Sequence, residues 1–182
     1  MLPQQELLVG LAQIALTLSG FAALVTVFRK DDDGWQPGEI LGLYIILEFS
    51  IGSTFFAMFP VLVSYLIETE KGVWKISAFI LVLFVLVWCL LMLTRVMRVH
   101  KRFGFWGVNP LIVVLLIIFP IPLLALQIIN ILWLDNFVIY FLHVLYLMLV
   151  SGAQFIIFVY NSAGARYETP SAQEAPKPRF PE

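Results

Sequence analysis

Residues 39–67 read EILGLYIILEFSIGSTFFAMFPVLVSYLI, and Glu48 is the one charge between Ile40 and Ile67. At about 1.5 Å per residue, positions 40–67 extend ~42 Å, more than the ~30 Å hydrocarbon core of a bilayer. The stretch therefore reads as a membrane-spanning helix. Glu48 lies roughly 13 Å along it from Glu39, inside the apolar slab. An ionised carboxylate there costs about 2.5–3.5 kcal/mol or more. The acid can stay protonated, pair with a cation or face water, and each of these places it against protein or solvent and not against lipid.

The two sides of this helix differ. Leu41, Tyr44, Ile45, Gly52, Phe55 and Phe59 fall on the Glu48 side at 100° per residue. Gly42, Ser50, Ser53, Ala57 and Ser64 fall on the other. Small, weakly polar faces permit close helix packing in lipid. Both sides thus call for protein neighbours, so the helix is expected to be central, or the protein oligomeric. Pro60 cannot bond back to the carbonyl of Phe56, so a kink is expected near the helix end.

Composition fits this reading. Of the 182 residues, 61% are hydrophobic, and the mean hydropathy of +0.95 lies outside the range of soluble domains. The expected fold class is all-α: a polytopic integral membrane protein with five transmembrane helices. The spans are expected at about 7–28, 40–67, 73–94, 110–133 and 137–160, each long enough to cross. Trp35, Trp74, Trp106 and Trp133 sit at span ends, where amphipathic rings collect, while Trp88 is mid-span. The start, MLPQQELL, has no basic segment, so no cleaved signal is expected. Residues 1–163 are read as the bundle. Residues 164–182, with Pro170, Pro176, Pro178 and Pro181, are read as a disordered tail.

Nine of the eleven basic residues fall on one side of this layout, leaving Lys71 and Lys75 on the other. The positive-inside rule then puts the N-terminus outside and the C-terminus in the cytoplasm. The expected location is a cell membrane, the inner membrane of a bacterium, crossed several times. The lipid bilayer is the first partner. A homo-oligomer or an unidentified protein partner follows from the faces of the second helix. The net charge of −1 gives no ground for nucleic-acid binding.

The remaining polar residues set out the candidate sites. The first helix carries Glu6, Gly10, Gln13, Thr17 and Gly20 on one side, and Ala15, Ser19 and Ala23 on another, a spacing that admits a neighbouring backbone. Asp31, Asp32 and Asp33 precede Gly34 and read as a solvated turn. The third helix is apolar nearly all round until Arg95 and is expected to form a lipid-facing wall. Arg95 leans into the membrane and Glu48 leans towards it, because side chains on a helix tilt towards its N-terminus. A Glu48–Arg95 pair is therefore a candidate, and it would keep Glu48 ionised. The fourth span contains Pro120 and Pro122, which read as a mid-membrane break, a static kink or a hinge.

On the fifth helix, Asn136, His143, Gln154 and Asn161 lie within about 20° of one line. A polar stripe in a membrane faces protein or water. Gln127 and His143 are equidistant from the turn at Asp135, so a hydrogen bond between them is expected. Gln154 and Ser19 fall at about the depth of Glu48.

Glu48, His143, Gln154 and Ser19 thus form the candidate ion or proton site. Arg95 is a possible partner, and the Pro120–Pro122 break borders the site. Two functions remain open: a small channel or transporter-like subunit for protons or cations, or a non-transporting scaffold or accessory subunit of a larger complex. No metalloprotease, phosphate-loop or paired-cysteine motif is present, and the single Cys89 excludes an internal disulfide. No enzymatic activity, metal or other cofactor is expected.

Overall fold

The computed structural model describes residues 3–28, 37–103 and 119–164. The expectations for the Asp31–Asp33 turn, the start of the fourth span and the tail after Gly164 lie outside these residues. All elements described are helical: α1 (Gln5–Phe28), α2 (Pro37–Ser64), α3 (Glu70–Phe103), α4 (Pro120–Ile129) and α5 (Phe137–Gly164). Four of them, all but α4, contain runs long and apolar enough to cross a membrane.

The helices form because Leu, Ile, Val, Phe and Ala dominate them and every backbone polar group must be bonded internally when water is absent. Hydroxyl side chains follow the same rule. Thr17 donates to Gln13 O at 2.7 Å, Ser64 to Val61 O at 2.7 Å, and Thr94 to Leu91 O at 2.7 Å. Each satisfies its hydroxyl on its own helix. α2 begins at Pro37, whose fixed φ suits a first helical turn, and runs through Pro60 to Ser64.

Pro120 and Pro122 stand in the first turn of α4. There a missing N–H breaks no bond within α4; the expected break of a longer span at these prolines turns on residues 110–118, which lie outside the described residues. α4 then widens into a π-turn over Asn130–Leu134. It closes with Asp135 in the left-handed region at φ 46°, its N–H bonded to Asn130 O. Asn130 clamps the turn. Its Nδ2 donates to Asn136 O at 3.1 Å, and its Oδ1 accepts from Asn136 N–H at 2.7 Å. Asn136 Oδ1 in turn caps α5 by accepting from Val138 N–H.

Contacts between helices set the packing. α2 is antiparallel to α1: Thr54 donates to Ala12 O, and Ala22 packs on Ile46. It is antiparallel to α5 as well, with Tyr140 bonded to Phe56 O near one end and Ser151 to Ile46 O further along. α3 meets α2 through Phe84 on Phe56 and Trp88 on Phe49. α2 is therefore central, with Ser50, Ser53, Ala57, Phe49 and Phe56 all buried. Its small-residue side packs as the spacing predicts.

α3 presents Phe79, Leu83, Leu86 and Leu90 outward, as expected of a lipid-facing wall. Its other side is nonetheless core, through Trp74, Ser77, Leu81 and Trp88. On α1 the bundle side is Leu8, Leu11, Ala12, Ala15 and Ala22, whereas Gln13, Thr17 and Gly20 are exposed. One end of the bundle carries the 65–69 and 135–136 turns, here called the turn end. The opposite end carries Arg95 and Arg98, here called the basic end.

Candidate functional site

Glu48 is placed by α2, with Phe49 beside it packed edge-on against the Trp88 ring at 4.5 Å between centroids. Trp88 and Arg95 are seven residues apart on α3 and so share one face of that helix. Both reach Glu48. Trp88 Nε1 donates to Oε2 at 2.7 Å, and Arg95 Nη1 donates to Oε1 at 2.5 Å. The guanidinium also lies 5.8 Å from the Tyr44 ring centroid, one turn before Glu48 on α2, a cation–π arrangement. The Glu48 and Arg95 side chains are 27% and 39% exposed. The carboxylate is thus clasped from α3 on both oxygens at the rim of the core.

The pairing of Glu48 with Arg95 matches the opposed lean of their side chains. Trp88 as the second donor was not anticipated. Its position, seven residues before Arg95 on one stripe of α3, is the sequence signal that marks it.

A crevice opens beside the clasp, lined among others by Glu48, Phe84, Trp88, Cys89, Pro120 and Tyr146. The start of α4 therefore adjoins Glu48 as expected. Pro120 contributes there, whereas Pro122 is exposed.

The other candidates lie apart from the carboxylate. Ser19 donates to Leu16 O of its own helix at 2.8 Å and is not bonded to Glu48. Gln154 is buried, with its amide against Gly42, where an added Cβ would come within 2.5 Å of Gln154 Nε2. Its Oε1 has no hydrogen-bond partner.

His143 is fully buried and both ring nitrogens are unpartnered. The Tyr146 ring, which lines the crevice, stands edge-on to it at 6.4 Å. The expected Gln127–His143 hydrogen bond is not formed, since both polar atoms of Gln127 are unpartnered too. The π-turn explains the offset. Asn130 meets Asn136, so the hairpin is centred before Asp135, and Gln127 sits about one turn from the level of His143.

Two polar contacts that the sequence reading did not foresee tie α2 to α5. Ser50 and Ser151 share a hydrogen bond at 2.6 Å, and Tyr140 donates to Phe56 O at 2.6 Å. Tyr140 reaches a backbone carbonyl, which has no sequence signature. Ser50 reads as part of the small, weakly polar side of α2 and Ser151 as a polar residue off the α5 stripe, and neither reading fixes their pairing.

The chain matches no protein-family model, no curated protein and no solved structure.

Proposed function

We propose that the protein is a non-transporting scaffold or accessory subunit of a membrane complex. In this reading it is a multi-pass protein of a bacterial inner membrane, with its N-terminus outside and its C-terminus in the cytoplasm. Residues 110–133 supply a fifth crossing. The excess of basic residues at one end supports this orientation. Its partner is a second copy of the chain or another membrane protein.

The observation that carries the reading is the clasp on Glu48. A carboxylate that binds and releases a proton or cation needs an oxygen open to its guest. Here one oxygen accepts from Arg95 and the other from Trp88. The acid joins α2 to α3, and its cost in lipid is offset by a cation from the next helix. Ser50–Ser151 and Tyr140–Phe56 join α2 to α5 in the same manner.

A second reading, a channel or transporter-like subunit, is favoured by one observation: Glu48 and Pro120 line a common crevice. Proton and cation flux in proteoliposomes, driven by a pH step and compared between wild type and Glu48→Gln, separates the two. The expected result is no flux above empty vesicles in either protein. Flux in the wild type that falls in the folded Glu48→Gln variant would overturn the scaffold reading in favour of transport.

A further inference from the structure

Four buried side chains near the turn end carry six polar atoms without hydrogen-bond partners: Ser53 Oγ, Ser77 Oγ, Gln127 Nε2 and Oε1, and both ring nitrogens of His143. All four residues are 0% exposed. They come from four different helices, α2, α3, α4 and α5.

Contacts between the helices bring them to one level of the bundle. Trp74 packs on Tyr140, and Tyr140 bonds Phe56 O, so these three residues form a layer. α3 and α5 run in the same direction and α2 in the opposite one. Moving one turn from that layer towards the middle of the bundle, three residues along each helix, reaches Ser77, His143 and Ser53. Gln127 is one turn along α4 from the Asn130 clamp. The four residues therefore lie within about one helical turn, ~5 Å along the axis, of His143.

Ser53 shares the α5-facing side of α2 with Ile46 and Ser50, whose polar atoms bond Ser151. The layer above, Trp74, Tyr140 and Phe56, is at most 2% exposed and closes the turn end. In the other direction, His143 meets Tyr146, and Tyr146 lines the crevice beside Glu48.

Buried polar groups in proteins are bonded to protein or to ordered water. A direct Gln127–His143 bond would satisfy two of the six atoms and leave four. Water carries two donors and two acceptors, and it can bridge hydroxyl, carboxamide and imidazole at once. We propose that Ser53, Ser77, Gln127 and His143 line an internal hydration site: a polar chamber that binds water inside the bundle, closed at the turn end and reached from the crevice beside Glu48. The inference is independent of whether the protein transports anything, because a dead-end chamber holds water without conducting.

The chain has two histidines, so His100→Gln leaves His143 as the only imidazole. The test is water-edited solid-state NMR on full-length His100→Gln protein, uniformly labelled with 13C and 15N, in lipid bilayers. Magnetisation is expected to pass from water to the His143 ring nitrogens several-fold faster than to the backbone amides of Leu81 and Val144, which are equally buried. A ring that gains magnetisation no faster than those amides would overturn the proposal. So would a ring nitrogen coupled directly to the Gln127 side chain with no water contact. In a second arm, Ser77→Ala combined with Gln127→Leu is expected to slow transfer to His143. Unchanged transfer in a folded variant would show that the water lies elsewhere, and would equally overturn the assignment.

Discussion

Replacing Arg95 with leucine removes the cation from Glu48 and leaves Trp88 as its donor. Breaking a fully buried ion pair from one side costs about 3–5 kcal/mol, while an exposed pair is worth about 0–1 kcal/mol. The Arg95 and Glu48 side chains are 39% and 27% exposed, so water and headgroups take up part of the loss. The expected cost of Arg95→Leu is therefore about 1–2 kcal/mol, between those limits. Glu48→Leu strands a guanidinium that can still reach headgroups and stack near Tyr44, at 5.8 Å, so it should cost no more. The double variant leaves no charge unpaired and should be more stable than the two single costs added together, by about 1 kcal/mol of coupling. Reversible unfolding in mixed micelles, titrated with SDS and followed by tryptophan fluorescence, yields all four corners of the cycle. Trp88→Phe supplies an internal check. It keeps a ring against Phe49 but loses the donor to Oε2, and it should cost about 1–2 kcal/mol. A coupling energy under about 0.3 kcal/mol, the usual scatter for independent sites, would refute the clasp as an energetic unit.

Three further outcomes follow from single contacts. Tyr140→Phe deletes the bond to Phe56 O without changing the packing, and should lower stability by about 1 kcal/mol in the same titration; no change would mean that water or a shifted partner already replaces that bond. Gly42→Ala puts a methyl group against the Gln154 amide, which must swing aside, at an expected cost of about 1 kcal/mol; adding Gln154→Ala should suppress that cost, and an unsuppressed loss of thermal stability would place the clash elsewhere. At Asp135, φ 46° suits glycine, so Asp135→Gly should be neutral to slightly stabilising while Asp135→Val costs about 1–2 kcal/mol, read as shifts in thermal unfolding in detergent.

Much of the helical layout is written in the apolar runs themselves. Lipid forces backbone bonding inward, so length and hydropathy alone mark four of the expected spans. The pairing of Glu48 with Arg95 was also legible, because an acid in lipid must find a partner and side-chain lean narrows the choice to a cation on the next helix. Trp88 was harder to find. A mid-span tryptophan is apolar in any hydropathy count, and its N–H matters only once its face is known. The Gln127–His143 bond does not form, because equal spacing from Asp135 would align the two residues only if both helices were regular. The five-residue π-turn at Asn130 displaces one against the other. Pro120 and Pro122 occupy the first turn of α4, where proline is well tolerated. Ser19 shared a depth with Glu48, but depth is one coordinate of three, and its hydroxyl turns back onto Leu16 O.

The clasp joins consecutive helices separated only by the 65–69 turn, and this bears on how the chain is made. On insertion scales, a lone charge at a helix centre costs about 2.5–3.5 kcal/mol, a burden for α2 if it left the translocation channel alone. Glu48, Trp88 and Arg95 are all present once synthesis has passed α3. The two helices can therefore leave as one hairpin with opposite charges already joined, before α4 and α5 exist. A nascent chain halted after α3 contains every group of the clasp, and membrane integration of that fragment would depend on Arg95 even though Arg95 is itself a charge.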